Sequence, residues 1–110
     1  ASGRDLRSGA NVLLRWFDAR EAKAFGEELA RYYDAEWRTI ARASASKQED
    51  KQRRLLARVL QKARQFGTEH RLNVYRKAKL SNQLKWTLKD LGHDDELIDR
   101  LVKEIVLALA

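Results

Sequence analysis

The sequence predicts an all-α fold: a single-domain bundle or irregular array of about four helices, with a short helical segment ahead of them. Three observations carry this. Apolar residues recur at spacings of three and four along most of the chain, the period of an amphipathic helix. Residues suited to helix ends stand between those runs. Proline is absent, and no segment reads as a strand with a second strand to pair with.

Residues 1–11 read as a flexible lead-in and residues 12–110 as one helical domain. Val12, Leu13, Trp16 and Phe17 fall near one face of one or two helical turns. Asp18-Ala19-Arg20-Glu21 follows a capping-box pattern, in which each end residue satisfies a free backbone N–H. It predicts a helix from about 19 to 43, with Ala22, Phe25, Gly26, Leu29, Tyr32, Tyr33, Trp37 and Ile40 facing inward.

A second helix is expected from about 47, carrying Leu55, Leu56, Val59, Leu60, Ala63 and Phe66, with Gly67-Thr68 ending or weakening it. The third spans about 71–91, with Gly92 just past its end and Ser81 a point where it restarts after a kink. Asp94 or Asp95 then caps a fourth helix whose core residues are Leu97, Ile98, Leu101, Val102, Ile105 and Leu109.

Composition narrows the function classes. At 110 residues the chain is long enough for one unaided core. With no cysteine it has neither disulfides nor thiolate metal sites, which agrees with the cytoplasm or, given the Arg- and Ser-rich opening, an organellar matrix. No apolar run reaches the ~20 residues of a membrane span. There is no phosphate-cradling glycine loop, nucleophile elbow or cysteine nucleophile, and no small-molecule substrate or cofactor is suggested. A non-enzymatic protein is expected.

The formal net charge is +7, and it is unevenly spread. Residues 1–46 carry 8 Lys/Arg against 7 Asp/Glu, residues 47–89 carry 13 against 3, and residues 90–110 carry 2 against 6. All the surplus lies in the middle, so the expected partner is anionic: nucleic acid or an acidic protein surface.

Two constellations sharpen this. Lys47, Lys51, Arg54, Arg58 and Lys62 share a narrow sector of the second helix, expected largely opposite its leucines, with Arg53, Arg64 and Arg71 flanking the other side. Such a stripe tracks phosphates, docks on an acidic protein, or is a solvated face. On the third helix, Tyr75, Lys79, Asn82 and Trp86 share a face separate from Leu80, Leu84, Leu88 and Leu91, with Arg76, Lys77, Lys85 and Lys89 around them. Aromatic rings among cations suit unpaired bases, whereas a helix wedged between two neighbours needs two apolar faces and would bury them. The binding reading assigns phosphates to Lys51, Arg54, Arg58, Lys62, Arg76, Lys77 and Lys79, and stacking to Tyr75 and Trp86. RNA is favoured over a specific DNA site, because no paired DNA-reading element is evident.

Three further residues stand out. Glu36 interrupts an apolar face and is expected to pair with a cation from the basic middle, so that Glu36→Ala destabilises more than Glu28→Ala. His93, beside Asp94 and Asp95, resembles half a metal site, but a helix N-terminus accounts for the same residues, and no metal is expected. His70 suggests nothing specific. Val106 and Leu107 widen the apolar arc at the end of the fourth helix, so that this end is either deep in the core or covered by a second copy of the chain.

Overall fold

The computed structural model describes the backbone of residues 2–110 and the side chains of residues 19–110. It contains four helices: α1 (Ser2–Ala41), α2 (Ala45–His70), α3 (Val74–Asp90) and α4 (Asp95–Leu109). The lead-in, the turn at 12–17 and the Asp18 cap lie outside the residues whose side chains are described. Position 18 falls within the bounds of α1 and is not a helix start.

Among the described residues, α1 packs on α2 and α3, and α4 packs on the same two helices. The pairs α1–α4 and α2–α3 therefore lie on the diagonals of the bundle. Leu29, Leu55, Val59, Leu80, Leu84, Leu88, Ile98 and Ile105 are its largest fully buried side chains. The most extensive contact joins α1 to α3. Small residues at a spacing of four, Ala22, Gly26 and Ala30, are buried on α1 and let the two backbones close together. At Gly26 an added Cβ would sit 2.4 Å from the Leu80 carbonyl oxygen.

Local chemistry sets the helix ends. Gln48 Nε2 donates to the carbonyls of Ala41 and Ala43, satisfying acceptors left free where α1 stops. Asn73 caps α3, its side chain accepting from the Arg76 N–H at 2.8 Å. Ser44 and Asp94 hold the cap positions of α2 and α4 with extended backbones but without a side-chain cap bond.

Of the two alternatives at Gly67-Thr68, the helix does not end there, and the restart at Ser81 does not occur. α2 continues through Gly67-Thr68 to His70, and α3 runs unbroken through Ser81. The Ser81 hydroxyl donates to the Lys77 carbonyl one turn back, which satisfies it inside the helix.

The ends of α2 and α3 contrast. α3 closes with the Gly92 N–H on the Lys89 carbonyl and the His93 N–H on that of Leu88, the paired bonds of a Schellman motif, with Gly92 at φ +88°. α2 closes on Arg71, also left-handed at φ 47°. Glycine adopts that conformation freely; a residue with a Cβ is disfavoured there by about 1 kcal/mol.

Candidate functional site

The basic stripe of α2 lies on its α1-facing flank, not opposite the leucines. An open groove of about 540 Å³ runs along this seam, lined by Glu36, Thr39 and Ile40 of α1 and by Lys51, Arg54, Ala57 and Arg58 of α2. The residues proposed for phosphates here are differently engaged. Arg54 pairs with Asp50 at 3.0 Å and Arg58 with Glu36 at 3.8 Å. Lys62 lies over the Tyr32 ring, 4.7 Å from its centre, and Lys51 has no ion pair among the described residues.

Glu36 meets a cation from the basic middle, as its sequence context suggests, but at a groove edge rather than in the core, with its side chain 38 % exposed. Exposed pairs of this kind contribute little. Glu36→Ala is accordingly expected to cost under about 1 kcal/mol in urea denaturation, with the loss shrinking further as salt rises.

On α3, Leu80, Leu84, Thr87 and Leu88 face the core, and Tyr75, Lys79, Asn82 and Trp86 face the other way. Tyr75 is 60 % exposed and Trp86 57 %. Burial between two neighbouring helices, the alternative open from sequence, does not occur. Lys79 Nζ sits 5.5 Å from the centre of the Tyr75 ring and Lys89 Nζ 5.5 Å from that of Trp86. Lys89 also approaches Asp95 at 3.9 Å. From residue 70 to residue 89 the chain holds no Asp or Glu. The two rings are eleven residues apart, about 16 Å along the helix axis.

Arg76 and Lys77 lie off this outer face. Both are partly buried; Arg76 is already partnered, and Lys77 points into a corner between α2, α3 and the end of α4. Because α2 and α3 are diagonal, the Lys51–Lys62 stripe and the Tyr75–Trp86 face belong to two separate surfaces of the bundle.

Sequence reasoning missed the pairing of His93. The Schellman turn carries its ring back onto α1, where Nε2 lies 2.8 Å from Asp34 Oδ1 and so donates to it. The two side chains are 8 % and 13 % exposed. Tyr33 and Trp37 flank the imidazole, Arg38 donates to the same carboxylate at 3.0 Å, and its guanidinium reaches the Leu91 carbonyl at 3.3 Å. Burial works to raise the Asp34 pKa, but the hydrogen bonds and charges of Arg38 and His93 outweigh it and hold the carboxyl below its ordinary 3.8. Burial pushes the neighbouring Tyr33 phenol up to about 12, against a smaller opposing effect of Arg100. This cluster joins α1 to the α3–α4 turn.

Among the described residues no group of three or more His, Asp or Glu side chains is placed to hold a metal, and no helix is long and apolar enough to cross a membrane. Val106 and Leu107 are exposed on the outer side of α4 rather than drawn into the core. The class defined so far is an all-α four-helix domain with an aromatic and cationic outer face. No family model, curated protein or solved structure matches the chain.

Proposed function

We propose that this chain is a non-enzymatic binding module that holds an unpaired stretch of nucleic acid, RNA rather than a specific DNA site, along the outer face of α3. One observation carries the reading. Two large aromatic rings stand in solvent on one helix face, each with an ammonium group near it, on a helix with no Asp or Glu of its own before Asp90, although Asp95 approaches Lys89 at the Trp86 end. Exposed Tyr and Trp offer bases a flat surface to stack on, and lysines beside them meet the phosphates between. Lys79, Lys85 and Lys89 supply that charge here. The α2 stripe is a weaker contributor, since phosphates would have to displace Asp50 from Arg54 and Glu36 from Arg58.

Fluorescence anisotropy with a labelled single-stranded RNA tests the reading. Three phosphate contacts predict that affinity falls roughly 20-fold between 50 and 200 mM salt. Tyr75→Ala and Trp86→Ala are each expected to weaken binding by about tenfold or more while leaving the melting temperature nearly unchanged, because neither ring is packed. Wild-type affinity in the double variant would end the proposal.

A second reading, docking of an acidic protein segment, is favoured by the α1–α2 groove, where Ile40 and Ala57 lie among Lys51, Arg54 and Arg58. Polyglutamate binding that is lost in Lys51→Gln/Arg58→Gln, with no binding of RNA at low salt, would select it.

A further inference from the structure

We infer that the corner where α2 ends and α3 begins is a separate binding site for a dianionic phosphate group. An open cavity of about 470 Å³ lies there, within the range of small-ligand sites. Arg64 approaches from the last turns of α2, Arg71 from the connection and Lys77 from the first turn of α3. Thr68 adds a hydroxyl, while Leu72, Ala108 and Leu109 form an apolar side. Ala110, just past the end of α4, also lines the cavity; no Asp or Glu side chain does, and none of the three cations has an ion pair among the described residues.

Three cations lining one cavity repel one another, and an anion that joins them relieves that repulsion. The carbonyl ends of α2 and α4 offset part of that repulsion, since a helix C-terminus attracts positive charge. Partial charges at helix ends leave a surplus of positive charge at this corner, and a phosphate group can meet it, its oxygens accepting from guanidinium groups in pairs.

The backbone supplies an independent pointer. Arg71 is the one non-glycine residue at positive φ among the described residues, at a helix end where glycine is the favoured choice. A residue held in a disfavoured conformation invites a functional explanation, and here its side chain lines the cavity. The apolar side leaves room for the organic body of an ester. Two sources present this chemistry: the terminal phosphate of a nucleic-acid strand and a small phosphorylated metabolite. The site uses none of Tyr75, Lys79, Asn82 and Trp86, so it does not depend on the reading of the outer α3 face.

Isothermal titration of the whole chain with inorganic phosphate and with glycerol phosphate provides the test, with melting curves alongside. Saturable binding is expected, weakened about tenfold or more in Arg71→Gly and in Arg64→Gln/Lys77→Gln. Arg71→Gly is the decisive variant: relief of the left-handed backbone should keep or raise its melting temperature while binding falls. A 5′-phosphorylated RNA that binds more tightly than its 5′-hydroxyl twin, the difference vanishing in Arg71→Gly, would identify a strand terminus as the source. Twins that bind alike, with glycerol phosphate still bound, would identify a small ester. Absence of saturable binding by every phosphate probe, or undiminished binding in Arg71→Gly, would overturn the inference. The 5′-hydroxyl RNA with and without Tyr75 and Trp86 reports on the outer face alone, so the two proposals can fail separately.

Discussion

Gly26→Ala is expected to destabilise the fold by about 2–3 kcal/mol, although it replaces the poorer helix former with the better one. In an exposed helix that exchange would gain about 1 kcal/mol. Here the new methyl would lie 2.4 Å from the Leu80 carbonyl oxygen and 3.2 Å from the carbonyl carbon. Both atoms are backbone in the middle of α3 and cannot swing aside. The α1–α3 seam must open instead, loosening contacts around Leu80 and Leu84, and overpacking of this kind outweighs the propensity gain. Gly67→Ala is the natural control. Its added methyl would meet the tip of the Leu109 side chain at 3.1 Å, which has freedom to move. Denaturation of the two variants side by side should separate them by at least about 2 kcal/mol, and equal stabilities would refute the account of the seam.

The second large effect is expected at Asp34. Asp34→Ala leaves the buried His93 ring nitrogen without its acceptor and removes the carboxylate to which Arg38 donates from one turn along α1, at a cost of about 2 kcal/mol. The pH dependence has a definite sign. Since the folded state holds the Asp34 carboxyl below 3.8, its contribution is complete at pH values well above 3.8 and is lost as the pH falls through the lower, folded-state value. Wild type should therefore exceed Asp34→Asn in stability at pH 7, with the gap closing below about pH 4. A gap that stayed constant down to pH 2 would show that the carboxylate charge contributes nothing.

Much of the fold is legible in the sequence because it rests on short-range regularities. The leucines of α2, α3 and α4 recur with helical period, Gly92 stands where a left-handed turn is needed, and Asp94 stands where α4 begins, whereas the Asn73 cap places the start of α3 later than the period alone suggests. The misplaced features depend on distance along the chain. Gly67 and Ser81 look like breaks, yet tertiary packing and a hydroxyl bond to Lys77 carry the helices through. The Asp34–His93 bond spans 59 positions, and the neighbouring Asp94 and Asp95 draw attention instead.

The candidate sites follow the same division. Periodicity placed Tyr75 and Trp86 together on one face, but whether that face lies inside or outside depends on which helices flank α3. The corner of Arg64, Arg71 and Lys77 is invisible to periodicity, since its members come from two helices and a connection. Three cations without ion pairs among the described residues, one of them the left-handed Arg71, are a signal only when seen in space.

The seam between α1 and α3 also bears on how the chain is made. As it emerges from a ribosome, α1 appears with the surface destined for Leu80, Leu84 and Leu88 uncovered, and the intervening α2 can shield only the adjoining flank. Some fifty residues separate Ala30 from Leu80, so this strip of α1 must wait, wet and adhesive, until its match has been synthesised. The nascent chain is thus most exposed to wrong partners during that interval.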